Sequence, residues 1–183
     1  DAIYLAGGQE SGVTVIKEAT AGGFDGEWLF TADLAVPEVF DAVGAQYLND
    51  RAYVELASSD SSLPEFKAFE TLFKEKNGGA PGPFAANSFD MANLVALSLE
   101  KADACTGEGI NAVIRDIADG GEPVGTFAAG KEAIAAGKDV NYEGASGPLA
   151  FDKSGTPAGS YSIQEAKDGK WVDLKFYPAS AFE

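Results

Sequence analysis

Apolar residues fall along this chain in two rhythms, one of strands and one of helices. Residues 2–6 (AIYLA) form a short apolar run closed by Gly7-Gly8, which predicts a buried strand and a turn. Beyond Ser11, a candidate helix cap, Val13, Ile16 and Ala19 recur at helical spacing and predict a helix over 12–21, stopped by Gly22-Gly23. Residues 27–31 (EWLFT) predict a second strand. Pro37 suits the first turn of a short helix over 36–43 that carries Val39, Phe40 and Val43. Residues 51–57 (RAYVELA) alternate and predict a third strand.

After the polar stretch SSDSS the rhythm turns helical. Ser62 and Glu65 are spaced as a capping box with Pro64 in the first turn, and Phe66, Phe69 and Phe73 share one side of a helix over 63–76. Asn77-Gly78-Gly79 stops it, and NGGAPGPF (77–84) is the strongest break in the chain, a linker or a crossing between lobes. A long helix is expected over 88–102, with Met91, Leu94, Val95, Leu99 and Ala102 on its apolar side. Another is expected over 107–119 through Ile110, Val113, Ile114 and Ile117, and a short one near 129–137. GPLAFD (147–152), SYSIQEA (160–166) and WVDLKFY (171–177) then read as strands, with Asp168-Gly169 as a two-residue hairpin turn. The order is that of an α/β chain with an antiparallel appendage, without internal repeat.

Composition narrows the chemistry. With 183 residues the chain can bury one medium core or two small ones. There is no His, so histidine metal sites and His-based triads are excluded, and the single cysteine, Cys105, excludes an internal disulfide or a cysteine-cluster metal site. No apolar run reaches the roughly 18 residues of a membrane span, and the opening DAIYLAGGQ lacks the basic start of a signal peptide. Lys plus Arg is 13 and Asp plus Glu 29, for a net charge of −16. Such a surface repels phosphate backbones, so no nucleic-acid partner is expected. The same excess of acid reads either as adaptation to high salt, where screening removes self-repulsion, or as an ordinary acidic secreted protein.

Catalytic motifs are missing. AGGQESG is neither GxGxxG nor a Walker A loop, and GASGP (144–148) is not a nucleophile elbow. Cys105 lies in ACTGEG with no His to activate it. No cofactor and no metal is implied, and a binding protein is favoured over an enzyme.

The stretch Val140-Asn141-Tyr142-Glu143-Gly144-Ala145-Ser146-Gly147-Pro148-Leu149-Ala150-Phe151-Asp152, followed by Ser154-Gly155, resembles a phrase common in periplasmic binding proteins of the branched-chain amino acid (Leu/Ile/Val) type, the solute receptors of ABC transporters. The opening DAIYLAGGQESGVTVIKEA, the segment WLFTADLAV, and GPF leading into SFDMANLVALSLEKA agree with it in order and spacing. The resemblance implies a type I periplasmic-binding-protein fold, two αβα lobes joined by a hinge that the chain crosses three times, with ligand held in the cleft between them. It covers only the C-terminal half of such a protein. On that map 1–56 belong to the second lobe, 57–151 to the first, and 152–183 return to the second. The N-terminal segment of the same protein would then be a missing partner, beside ABC permease subunits. The location implied is periplasmic or extracellular, in association with the membrane.

An amino acid ligand is a zwitterion, which needs a carboxylate near its ammonium, donors around its carboxylate and an apolar pocket. Asp33, just past the strand EWLFT, matches the acidic position that grips the ammonium; a helix cap for 36–43 is its alternative role. Gly7, Gly8 and Gln9 end the first strand where the family often places an aromatic, a departure that suggests a roomier or more polar pocket than one for leucine, isoleucine or valine. Phe84, in GPF at the expected hinge crossing, matches an aromatic that touches the ligand side chain. Phe89 is expected in the core and Asp90 as a first-turn acid favoured by the helix dipole. The donors for the ligand carboxylate would belong to the absent half. The function implied is capture of an amino acid or related small amide for an ABC importer. A ligand-sensing domain of a receptor or regulator with the same fold, or a small α/β enzyme, are the alternatives.

Overall fold

A computed structural model describes residues 1–182. Along the chain the elements are β1 (Ala2–Leu5), α1 (Gln9–Ala21), β2 (Glu27–Phe30), a 3₁₀ turn (Ala32–Leu34), α2 (Glu38–Val43), α3 (Ala45–Leu48), β3 (Ala52–Ala57), α4 (Pro64–Asn77), α5 (Ala85–Lys101), α6 (Gly107–Ala118), β4 (Glu122–Val124), α7 (Phe127–Ala135), β5 (Val140–Tyr142), β6 (Tyr161–Lys167), β7 (Lys170–Tyr177) and a closing 3₁₀ turn (Ala179–Ala181). They fall into two units. Unit 1 comprises Asp1–Ala57 with Tyr161–Tyr177, and unit 2 comprises Ser58–Ser160 with the residues from Pro178.

Unit 1 is a five-stranded sheet in the order β1-β2-β3-β6-β7. The first three strands are parallel, with Leu5 beside Phe30 and Phe30 beside Val54. β6 runs antiparallel to β3 and pairs with β7 in a hairpin. Its turn residues Asp168 (φ 51°) and Gly169 (φ 71°) both take the positive φ that matches the twist of a two-residue hairpin. The strand period of two sends Trp28, Phe30, Ala52 and Val54 to one face. There they pack with Ile16 of α1, Leu34 of the 3₁₀ turn, Val39 and Phe40 of α2, and Leu48 of α3. Each such large side chain stabilises the unit by about 1.5–3 kcal/mol when fully buried. The opposite face carries Tyr4, Leu29 and Val172, all exposed.

The expected cap at Ser11 is corrected: α1 begins three residues earlier, at Gln9, with Gly8 as its N-cap. Ser11 sits inside the helix and its hydroxyl donates to the Gly8 carbonyl. The expected helix over 36–43 is present as α2 from Glu38, preceded by the 3₁₀ turn, and α3 comes after Gly44 at φ 96°.

Unit 2 packs α5, α6 and α7 around the short parallel pair β4–β5, burying Leu94, Leu97, Ile117, Val124, Val140 and Tyr142. A second cluster joins Phe69 of α4 to Ala86 and Ala145, flanked by Phe66, Phe73 and Phe89. Thr106 and Thr126 cap α6 and α7 by accepting from the N–H of Gly109 and Ala129.

Three expectations fail in this unit. The capping box of Ser62 and Glu65 does not form: Leu63 is the N-cap of α4, and Ser62 instead donates its backbone N–H to Asp60. The apolar side of α5 is rotated, because Met91 and Leu99 are exposed whereas Ala86, Asp90, Leu94, Leu97 and Ser98 are buried. No strand spans 147–152. Gly147 has φ 119° and Pro148 lacks an N–H, so only the isolated bridges Gly144–Gly147 and Phe151–Pro157 form. That irregular stretch is stitched within unit 2: the Asp152 carboxylate accepts from the N–H of Ser154 and Thr156, and Arg115 of α6 donates to the Asp152 carbonyl. Residues 152–160 therefore cluster with unit 2, and the chain returns to unit 1 at Tyr161 rather than at 152.

Candidate functional site

Two neighbouring parallel strands end side by side, and the turns that leave them carry the candidate chemistry. β1 ends at Leu5 and continues through Ala6-Gly7-Gly8 into α1, while β2 ends at Phe30 and continues through Thr31 into the 3₁₀ turn. The Thr31 N–H donates to the Leu5 carbonyl at 3.3 Å, extending the ladder past both strands. The carboxyl ends of parallel strands in open α/β sheets are where such folds place ligands.

Asp33 occupies the middle of the 3₁₀ turn and is exposed. Among the described residues no donor reaches its carboxylate. It does not cap α2, whose N-cap is Pro37 without a side-chain bond, so the alternative role for Asp33 is removed. Gly7 is half-buried, Gly8 is exposed and extended (φ −67°, ψ 163°), and Gln9 is exposed as the first residue of α1. No side chain caps the first turn of α1, so its amide end is open. Gly7, Gly8, Gln9 and Asp33 thus share one edge of one sheet.

Two residues that sequence reasoning missed hold that edge in shape. Leu34, next to Asp33, is completely buried and pins the 3₁₀ turn to the core. Gly12 makes this possible, since a Cβ there would lie 2.7 Å from Leu34 Cδ2. A glycine inside a helical pattern was the available signal, because it persists in a helix chiefly where a neighbour packs against the backbone.

Phe84 belongs to unit 2. It lies between α4 and α5, whereas the chain passes between units at 57–58, 160–161 and 177–178, so the expected hinge crossing at GPF is corrected. Phe84 is the N-cap of α5, about half exposed, and holds a left-handed backbone (φ 62°, ψ 0°) that is rare for an aromatic residue. It comes directly after Gly82-Pro83, and the Ala85 N–H closes the turn onto the Gly82 carbonyl.

Asp90 overturns its expected role. It is the sixth residue of α5, not a first-turn acid, and is 1% exposed. Its Oδ1 accepts from the Ala145 N–H (2.9 Å) and the Tyr142 hydroxyl (3.1 Å), and its Oδ2 accepts from the N–H (2.6 Å) and hydroxyl of Ser146. Burial first, and then the Asp90 carboxylate, push the Tyr142 phenol far above its ordinary value, so it stays a donor at neutral pH. Gly144 is required beside this clasp because a Cβ there would come 2.5 Å from Asp90 Oδ2. Asp90 falls four and seven residues before Leu94 and Leu97, and that register on the buried stripe was the signal that it points inward. Phe89 lies in the aromatic cluster as expected, 5.0 Å from the ring of Phe69.

A polar cleft of about 750 Å³ lined by Asp1, Asp25, Glu27, Asp50 and Arg51 lies at the opposite, amino end of β1–β3. Arg51 is already engaged there with the Asp25 carbonyl at 3.1 Å. Cys105 is exposed. Among the described residues no group of His, Cys, Asp or Glu is arranged to hold a metal ion, and no helix is long and apolar enough to cross a membrane.

No protein-family model matches the chain, and no curated protein sequence does. Solved structures do. A leucine binding protein, LivK, from Thermotoga maritima superposes with a TM-score of 0.71 at 22% identity, over 97% of this chain and 44% of its own. The branched-chain amino acid transporter substrate binding protein LivJ from Streptococcus pneumoniae, solved with isoleucine, gives 0.63 at 17% identity, over 95% and 45%. A solute binding protein of an ABC transporter from R. palustris, solved with benzoate, gives 0.56 at 20% identity, over 97% and 43%. The chain therefore spans less than half the length of these structural neighbours.

Proposed function

From the type I periplasmic-binding-protein fold that this chain carries, we propose that it is part of the solute-binding component of an ABC importer, one that captures an amino acid or a related small amide between two lobes. The observation that carries this reading is the Asp33 carboxylate, exposed and without an internal partner at the carboxyl end of β2, beside the open Gly7-Gly8-Gln9 turn at the end of β1. A ligand ammonium loses its water on entering such a site and needs a carboxylate to replace it. Asp33 fills that role. Gly7 and Gly8 leave space where a large side chain would crowd the ligand, and Gln9 adds a neutral polar group. The donors for the ligand carboxylate come from the part of the protein outside these residues.

The protein catalyses nothing in this reading. Ligand favours the closed arrangement because only there does it touch both lobes, and permease subunits recognise that form outside the cytoplasm. Calorimetry of the protein expressed from its whole reading frame, against a panel of amino acids and their amides, tests the proposal. A ligand should bind, and Asp33→Ala should weaken it by about 30-fold or more, the roughly 2–4 kcal/mol of a buried charge pair. Unchanged affinity in Asp33→Ala removes Asp33 from the site. The absence of binding by any panel member removes the ligand class.

A further inference from the structure

Of the six asparagines in the chain, Asn77 alone is followed by a glycine. Asn77 is the last residue of α4, and Gly78 is its C-cap, left-handed at φ 76°. Residues 74–80 are all exposed. Two bonds hold the pair in place. The Gly78 N–H donates to the Lys74 carbonyl at 2.9 Å, and the Asn77 side-chain amide donates to the Phe73 carbonyl at 3.1 Å. Both belong to the final turn of a helix, which opens more readily than an interior turn. A Cβ placed on Gly78 or Gly79 would meet no atom within 4 Å, so the chain has room to swing there. The other asparagines are better held. Asn93 and Asn141 are half-buried, their amides given to the Phe89 carbonyl and the Glu143 carboxylate. The Asn49 side-chain carbonyl accepts from the Gly169 N–H. Asn87 and Asn111 lie within α5 and α6, before Ser88 and Ala112.

We propose that Asn77 is a site of spontaneous, non-enzymatic deamidation, gated by opening of the last turn of α4. In the open turn the Gly78 nitrogen gives its proton to hydroxide and attacks Asn77 Cγ. The new N–Cγ bond closes a five-membered imide, and the Cγ–Nδ2 bond breaks to release ammonia, which takes its proton from water. Water then opens the ring. Attack at one carbonyl leaves aspartate; attack at the other leaves isoaspartate, in which the main chain runs through the former side chain. The sum is one water consumed and one ammonia released, with no oxidant, metal or enzyme. Glycine matters because it has no Cβ to obstruct the approach and reaches the ring-closing backbone angles without steric cost. The change runs one way. The new carboxylate cannot donate to the Phe73 carbonyl, and it sets a negative charge at the negative end of the helix dipole. Lys74, in the same turn, is already paired with Glu70 at 2.8 Å. The altered turn therefore opens more often than the original. Solute binding plays no part in this chemistry.

The test is incubation of the protein expressed from its whole reading frame, at neutral and at alkaline pH, followed by digestion and mass spectrometry. Residue 77 should gain the mass difference between amide and acid roughly tenfold faster than any other asparagine, the ratio set by how much more often its turn opens. The gain should be faster at alkaline pH and should appear as aspartate and isoaspartate together. Amide exchange at Gly78 should be faster in the aged protein than in the fresh one. Another asparagine converting first overturns the proposal. So does an Asn77 that remains an amide while the same chain in urea converts it. Aspartate without isoaspartate overturns the imide route, and an equally fast conversion at position 77 in Asn77→Gln, which would need a six-membered ring, does the same.

Discussion

Replacing Asp90 tests whether a buried carboxylate organises the irregular segment after β5. In Asp90→Ala the N–H groups of Ala145 and Ser146 and the hydroxyls of Tyr142 and Ser146 lose their acceptor inside unit 2. An unmet buried donor costs about 1–3 kcal/mol. The two amides alone, which cannot rotate away, therefore cost about 2–6 kcal/mol, and relief from keeping a carboxylate out of water returns part of that. The expected net loss is about 2–4 kcal/mol. Asp90→Asn keeps the shape and the oxygen that serves Tyr142 and Ala145, but turns an NH₂ group toward the Ser146 N–H. One unmet donor remains, for a loss of about 1–3 kcal/mol. Tyr142→Phe removes a single donor and leaves the carboxylate its two amides, for about 0.5–1.5 kcal/mol. Urea unfolding monitored by far-ultraviolet circular dichroism measures the series, and amide exchange at Ala145 and Ser146 locates the effect. An Asp90→Asn protein as stable as the parent would refute the reasoning, because the shape-preserving variant isolates charge and hydrogen bonding from packing.

Gly12→Ala should destabilise by about 1 kcal/mol, since overpacking against Leu34 at about 1–3 kcal/mol outweighs a helix-propensity gain of about 1 kcal/mol; a rise in melting temperature would show that α1 and the Asp33 turn are not in close contact. The net charge of −16 should make the melting temperature climb between low and molar potassium chloride, by roughly 2–4 °C for each kcal/mol of repulsion screened. A flat curve rejects the salt-adapted reading. The Asp152 carboxylate accepts from the Thr156 N–H, the Ser154 hydroxyl and the Ser154 N–H, which hold its pKa below the ordinary 3.8. Order in that turn is therefore complete above 3.8 and is lost as pH falls through the lower folded value, so an NMR titration of Asp152 with a midpoint at or above 3.8 contradicts the structure.

The strands of unit 1 were legible because each is a short apolar or alternating run between glycine-rich or charged breaks. AIYL, EWLF and AYVELA fall within the stretches expected, and the Asp168-Gly169 turn fixes the β6–β7 hairpin. Strands β4 and β5 were not legible. Each has three residues, too few for a period of two to stand out, and Pro123 interrupts the first. The apolar stripe of α5 was misplaced because nearly every position from 91 to 99 is apolar or small, so periodicity alone gave no phase. Asp90 would have supplied it, had a charge been allowed on the buried side. At the candidate site the sequence placed Asp33 and Gly7–Gln9 after strand ends, and they do lie just past adjacent ends. Beyond its reach were Gly12 and Leu34, whose contact joins two elements that only the folded chain brings together. Phe84 was given to a hinge because Gly-Pro-Phe resembles a linker, whereas here it makes the turn between two helices of one unit.

Both tryptophans of the chain, Trp28 on β2 and Trp171 on β7, belong to unit 1, among the rings of Phe24, Phe30 and Phe40. Indole emission is thus a built-in optical label for that half alone. The strand bearing Trp28 runs directly into the Asp33 turn, so a solute arriving there perturbs the one region that glows, while events confined to Ser58–Ser160 stay spectrally dark.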